Sequence, residues 1–324
     1  MNRQGLQYAF FSTVTQRDVE WLWYPYIPYG KLTILQGDPG EGKSTFMLNV
    51  AALLSRGTNM PDGFKINEPQ QVVYQTAEDN LSDTVKPRLI AANADCNRIA
   101  YIVDEDLPLT LEDDRIEEVI RETRARLFII DPLQAYLSQD TDISNAGRMR
   151  QQMRGLAGIA AKYNCAIVII GHMNKASGEK NLYRGLGSID IAAIARSVLM
   201  ISRDRDNPSL RYMLPVKSSL APEGSAIAFS IDSQMRLKWV GGCDVDKRRF
   251  LSDDIGCGKK AVARRIIREM LCEKDSLSAD ILRKLDLTGI SKRTISTAKK
   301  ELGVLSYRKG KSWYWHLPEQ PSGN

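Results

Sequence analysis

The chain has 324 residues, enough for one large domain and a small one. Its 43% apolar content is that of a globular protein, and no apolar run approaches the roughly eighteen residues of a membrane span. Five scattered cysteines without a C-x-x-C pair argue against a disulfide framework or zinc site and for free thiols in a reducing cytoplasm, and only two histidines exclude a His-rich metal centre.

The net charge of +6 is unevenly spread. From residue 259 onward there are fifteen lysines and arginines against seven aspartates and glutamates, a net of +8, which leaves the rest of the chain at −2. A basic C-terminal segment on a near-neutral body points to an anionic partner such as nucleic acid; a solvated basic surface is the bland alternative.

Along the chain, an apolar strand is predicted over 31–36 and a helix over 46–54. Between them lies Gly37-Asp38-Pro39-Gly40-Glu41-Gly42-Lys43-Ser44-Thr45, a complete G-x-x-x-x-G-K-[ST] pattern. Strand, glycine-rich loop and helix in this order are what phosphate binding needs. The glycines let successive backbone N–H groups face the phosphates, and the helix adds its positive end. Lys43 is expected on the β- and γ-phosphates and Ser44 on Mg²⁺, so ATP with Mg²⁺ is the predicted ligand.

Strand and helix then alternate. Strands are predicted over 71–76, 98–103, 127–130, 165–170 and 197–202. Helices are predicted over 81–92 (interrupted near Pro87), 113–126, 145–163 and 188–196. Strands over 211–216, 226–231 and 235–240 follow without helices between them and read as an antiparallel extension. The fold class is therefore α/β, a mostly parallel sheet covered by helices on both faces, occupying residues 1–242. Residues 243–258 read as a linker. A smaller domain over 259–318 holds helices at 260–273, 278–285 and 291–302, the last with Ser291 as N-cap, and a hairpin turning at Lys309-Gly310-Lys311. Residues 319–324 read as a disordered tail.

Hydrolysis needs an acid to order the metal's water shell and a base to orient the attacking water. Asp131 ends the apolar strand over 127–130 and is the metal-ordering candidate. Glu78 lies just past the strand over 71–76 and is the candidate base, with Asp79 an alternative cap for the helix starting near Leu81. His172 follows a third strand in the same row and is the candidate γ-phosphate sensor.

Four segments, the GDPGEGKST loop, Val73-Tyr74-Gln75-Thr76-Ala77-Glu78-Asp79, Phe128-Ile129-Ile130-Asp131-Pro132-Leu133 and Ile170-Gly171-His172-Met173-Asn174-Lys175, occur in the order of the RecA-like ATPases. Together with Lys86-Pro87-Arg88-Leu89 and Tyr183-Arg184-Gly185-Leu186-Gly187-Ser188, they resemble the branch of plasmid RepA-type hexameric helicases, related to the DnaB and KaiC groups. That resemblance implies a homo-oligomeric ring of six subunits, ATP at subunit interfaces and a cation supplied by the neighbour. Relatives carry Lys-x-Arg on a late strand where this chain has Lys217-Ser218-Ser219, so Lys217 and Arg184 are the candidates for that cation, with Arg88 and Arg196 behind them. It also implies single-stranded DNA on loops near 138–148 and 174–184, with Lys175 and Lys180 on phosphates. The C-terminal module resembles a winged helix-turn-helix. Lys292, Arg293 and Lys300 face outward on its third helix and Lys309 and Lys311 lie on its wing, an arrangement for duplex or single-stranded DNA. A protein-docking role is the alternative for that module. The function implied is an ATP-driven DNA helicase of a plasmid, phage or mobile element. The alternative is a RecA-fold recombination or regulatory ATPase of the RadA or KaiC type that binds DNA without unwinding it.

Overall fold

A computed structural model describes residues 8–137, 146–172, 189–204, 207–251, 259–271, 275–286, 288–310 and 312–318. The chain divides into two compact units, residues 1–245 and 246–324.

In the first unit a short hairpin, β1 (Trp21–Trp23) and β2 (Ile27–Pro28), precedes β3 (Leu32–Gly37) and α1 (Lys43–Arg56). Then come β4 (Val72–Thr76), α2 (Lys86–Ala91), β5 (Ile99–Ala100), α3 (Asp114–Thr123), β6 (Leu127–Asp131), α4 (Ala146–Tyr163), β7 (Ala166–His172), α5 (Ile189–Ile194) and β8 (Ser197–Arg203). The extension is β9 (Leu210–Ser218), β10 (Ala226–Ile231) and β11 (Leu237–Cys243). The described residues of this unit form a nine-stranded sheet in the order β11-β10-β9-β8-β3-β7-β6-β4-β5. From β5 to β8 neighbouring strands run parallel; from β8 to β11 they run antiparallel.

The parallel strands are continuous apolar runs because both faces are covered. Every residue of β3 and β6 is buried. The strand predicted over 98–103 shrinks to Ile99–Ala100. It is the sheet's edge, where Tyr101 and Val103 turn to solvent and the acidic run from Asp104 to Asp106 follows. The hairpin β1–β2 leaves no periodic trace in the sequence, since its apolar run is too short.

One core lies on the α1 face of the sheet, with Met47, Leu48, Val50, Ala51 and Leu54 packed over Val72, Leu127, Ile129, Val168 and Ile170. Phe46, in the first turn of α1, is fully buried among aromatic rings. It stacks on Trp23 at 6.2 Å between centroids and meets Phe229 at 5.1 Å and Trp239 at 5.3 Å. The hairpin and the antiparallel extension therefore grip the same helical turn that closes the phosphate loop. Truncating Phe46 to Ala should cost about 3–5 kcal/mol of stability, read as a lower urea midpoint in equilibrium unfolding followed by tryptophan fluorescence.

In the second unit, α6 (Arg248–Leu251) precedes α7 (Lys259–Leu271), β12 (Ser276–Leu277), α8 (Ser278–Asp286), α9 (Lys292–Glu301), β13 (Leu305–Lys309) and β14 (Ser312–His316). The three strands pair antiparallel in the order β12-β14-β13. Ala263, Ile267, Ile281, Leu285, Ile295, Ala298 and Trp315 form its core. Ser291 caps α9, its hydroxyl accepting from the Thr294 N–H at 3.3 Å. Lys299 lies over the Trp315 ring, 4.6 Å from its centroid, and donates to Ser306, so α9 is tied to the hairpin.

Candidate nucleotide-binding and catalytic site

The phosphate loop runs from the end of β3 into α1. Gly37 lies against β8 so closely that a Cβ there would meet the Ile201 carbonyl oxygen at 2.5 Å. Gly42 has φ 91° and precedes the helix; a Cβ on it would meet Ile231 Cδ1 at 2.5 Å. Gly37 is therefore fixed by its close approach to the β8 backbone, and Gly42 by its left-handed backbone conformation, since the atom its Cβ would meet is the movable tip of a side chain.

Lys43 opens α1 and is 5% exposed. Its Nζ donates to the carbonyls of Gly37 at 2.9 Å and Asp38 at 3.0 Å. Burial lowers the pKa of this ammonium, while the carboxylates of Asp131, Asp38, Glu41 and Glu78 pull it back up. Asp131 ends β6 and is 4% exposed. Burial raises its pKa; the hydroxyls of Tyr74 and Ser44 beside it act against that, and the charges of Asp79 and Glu78 add to it. The Tyr74 hydroxyl donates to Asp131 Oδ2 at 2.5 Å. Its own pKa is raised by burial first and by Asp131 next.

Sheet order explains how these groups meet. β7 lies between β3 and β6, and β4 lies on the far side of β6, so the ends of all four strands form one row. Thr76 and Asp131 are Cα partners, as are Gly37 and His172. Glu78 stands two residues past β4, exposed, with its charge felt at both Lys43 and Asp131.

Asp79 is not the helix cap. Asn80 caps the helical turn Leu81–Val85 that leads into α2: its backbone is extended and its side chain accepts from the N–H groups of Ser82 at 2.8 Å and Asp83 at 3.3 Å. Asp79 instead pairs with Arg88 at 2.7 Å, which occupies that arginine within its own subunit. Lys217 Nζ donates to the carbonyls of Ala192 at 2.7 Å and Ala195 at 2.9 Å, at the end of α5. To reach a neighbour's nucleotide it would have to leave that clamp. Arg196 is exposed just before β8. Arg184, Lys175, Lys180, Lys311, the loop segments 138–145 and 173–188, the tail 319–324 and the side chain of His172 lie outside the described residues. Lys292, Arg293, Lys300 and Lys309 are all exposed on the second unit.

The structure brings in three groups that sequence reasoning missed. Arg203, ending β8, donates from Nη2 to the Gly40 carbonyl at 2.9 Å and lies 3.8 Å from Glu41 Oε1. Arg211, its Cα partner on β9, is buried beside Gly42. Tyr74 is the third. The signals were present but weak: an arginine closing an apolar strand, an arginine at an inward position, and a tyrosine two residues before the one that pairs with Asp131.

The donor set fits a hard divalent cation. Ser44 and Asp131 offer oxygen only, and among the described residues no three His, Cys, Asp or Glu side chains form a cage of their own. Mg²⁺ is held in this way, by one or two protein oxygens, water and substrate phosphates. Here Ser44 would ligate it and Asp131 would order its water.

A phosphate loop on one parallel strand, a buried acid on the strand next but one and a second acid past the strand beyond define a P-loop ATPase. The chain belongs to the AAA domain family, which matches residues 2–178. It is similar to the DNA repair protein RadA of Halalkalibacterium halodurans, 30% identical over 149 residues, which is 45% of this chain and 28% of that protein. It is also similar to RadA of Mycobacterium tuberculosis, 24% identical over 192 residues, 58% of this chain and 35% of that protein. The matches thus span about a third of the length of these relatives. A crystal structure of the RadB recombinase aligns with a TM-score of 0.46 at 19% identity, over 68% of this chain and 93% of that one.

Two variants separate binding from chemistry. Lys43→Ala should lose nucleotide binding in a fluorescent-nucleotide titration while still unfolding in one cooperative transition, because Lys43 meets the phosphates and is not part of the apolar core. Glu78→Gln should still bind ATP but turn over at least about 100-fold more slowly; turnover close to the parent's would remove Glu78 from the role of base.

Proposed function

We propose that this chain is an ATP-hydrolysing, DNA-binding protein of the recombination and repair type, working as a homo-oligomer. The observation that carries the reading is the convergence of Lys43, Ser44, Asp131 and Glu78 at the ends of β3, β6 and β4. Lys43 would exchange its two carbonyl partners for phosphate oxygens. Glu78 would orient the attacking water. Mg²⁺, when bound with the nucleotide, supplies positive charge to the phosphates.

DNA enters the reading from two directions. The relatives bear the name of a DNA repair protein. After the short α6, the second unit has the order helix, strand, helix, helix, hairpin, which we read as a winged helix-turn-helix, with Lys292, Arg293 and Lys300 on α9 and Lys309 on its hairpin. The similarity to a repair protein favours the RadA-type alternative over the unwinding motor that the sequence motifs first suggested. A six-membered ring with a neighbour's cation at each nucleotide remains part of the proposal, with Arg184 and Lys217 as the residues to test.

Steady-state ATPase with and without single-stranded DNA, run beside a strand-displacement assay, tests the reading. DNA should stimulate turnover several-fold without strand separation. Efficient displacement of a duplex would restore the helicase reading, and turnover indifferent to DNA would remove the DNA role.

The basic surface gives a second expected outcome. Replacing Lys292, Arg293 and Lys300 together by Ala should weaken DNA binding and lower the slope of log K against log salt by up to about three, about one for each phosphate that is no longer neutralised. An unchanged slope in fluorescence anisotropy would assign DNA binding to the ATPase unit.

A further inference from the structure

We propose that Tyr74 is a positioning residue for the metal-ordering acid: its hydroxyl holds one oxygen of Asp131, so that the carboxylate presents the other to the metal's water shell. The inference rests on the P-loop ATPase assignment and extends it to a residue outside the motifs.

The geometry begins in the sheet. Tyr74 lies on β4 and has Ile129 of β6 as its Cα partner; two residues on, Thr76 pairs with Asp131. Side chains alternate along a strand, so Tyr74, Ile129 and Asp131 share the face that packs on α1. Tyr74 is 2% exposed and its ring is part of the core beneath the helix that carries Lys43 and Ser44. From there its hydroxyl meets Asp131 Oδ2 at 2.5 Å, a length typical of a hydrogen bond to an ionised acceptor.

This contact has a specific consequence. A carboxylate at the end of a strand can rotate about its last bond and offer either oxygen. A rigid, packed phenol bound to one of them fixes that rotation. A phenylalanine would fill the same core space at no packing cost, so the hydroxyl is needed for the carboxylate and not for the core. Hydrogen bonds that orient a metal's own ligand from behind are worth about 10- to 100-fold in metal affinity or activity, and one acting through a carboxylate that holds the metal's water belongs at the lower end of that range.

The test compares Tyr74→Phe with the parent by titrating a fluorescent ATP analogue at a series of Mg²⁺ concentrations. The parent should bind nucleotide more tightly as Mg²⁺ rises. The variant should need about 10-fold or more Mg²⁺ for the same gain, while its affinity for metal-free nucleotide is little changed. A general loosening of the fold would weaken both. Adding Asp131→Asn provides the second arm, since it uses the same contact from the other side. Combining it with Tyr74→Phe should give a Mg²⁺ requirement no worse than Asp131→Asn alone. Additive effects in the double variant, or an unchanged Mg²⁺ requirement in Tyr74→Phe beside a Mg²⁺-dependent parent, would overturn the role of Tyr74. A parent whose nucleotide affinity ignores Mg²⁺ would overturn the metal role of Asp131 and this proposal with it.

Discussion

A buried ammonium has to be compensated, and much of the first unit is arranged around compensating Lys43. Two loop carbonyls accept hydrogen bonds from it directly, and four carboxylates offset the cost of removing the charge from water. The loop can fold back on the lysine only because glycine at 37 allows the close approach to the β8 backbone and glycine at 42 adopts a left-handed conformation. The acids can reach it only because parallel strands in this order bring their ends into one row. Core, sheet order and loop conformation thus serve one electrostatic requirement.

The same requirement recurs on the outer side of the loop. Glu41 sits partly buried against Arg203 and near Arg211, and burial is the main reason its carboxyl pKa is raised. Buried oxygen Oε2 of Glu41 and the Nε atoms of both arginines have no hydrogen-bond partner. Charged groups left incompletely satisfied at this depth carry an energetic cost. The loop is held by the Arg203 ion pair and backbone bond on one side and by its own lysine on the other.

Most of the fold could be read from the sequence because its signals are local. Apolar runs such as 127–130 and 165–170 have one explanation in an α/β protein, and the phosphate-loop pattern fixes which strand leads into which helix. Glu78 and Asp131 were legible for the same reason, since each lies at or just beyond a strand's end. What stayed hidden depends on partners distant in sequence. Tyr74 looks like any core aromatic until Asp131, 57 residues away, is seen on the next strand. Arg203 and Arg211 gain meaning only when antiparallel pairing sets them side by side next to the loop. The cap at Asn80 was missed by one residue, since Asp79 and Asn80 are both good caps and only the Arg88 pairing distinguishes them.

Lys299 gives the second unit a property that its charge count conceals. Of the basic residues on α9, this one is spent inward, its ammonium over the Trp315 ring and bonded to Ser306 of the hairpin. Helix and hairpin are thereby latched across their shared edge, and a load applied to one is carried by the other. A displacement of α9 is therefore passed to the hairpin through this contact as well as through the core that Ile295, Ala298 and Trp315 share.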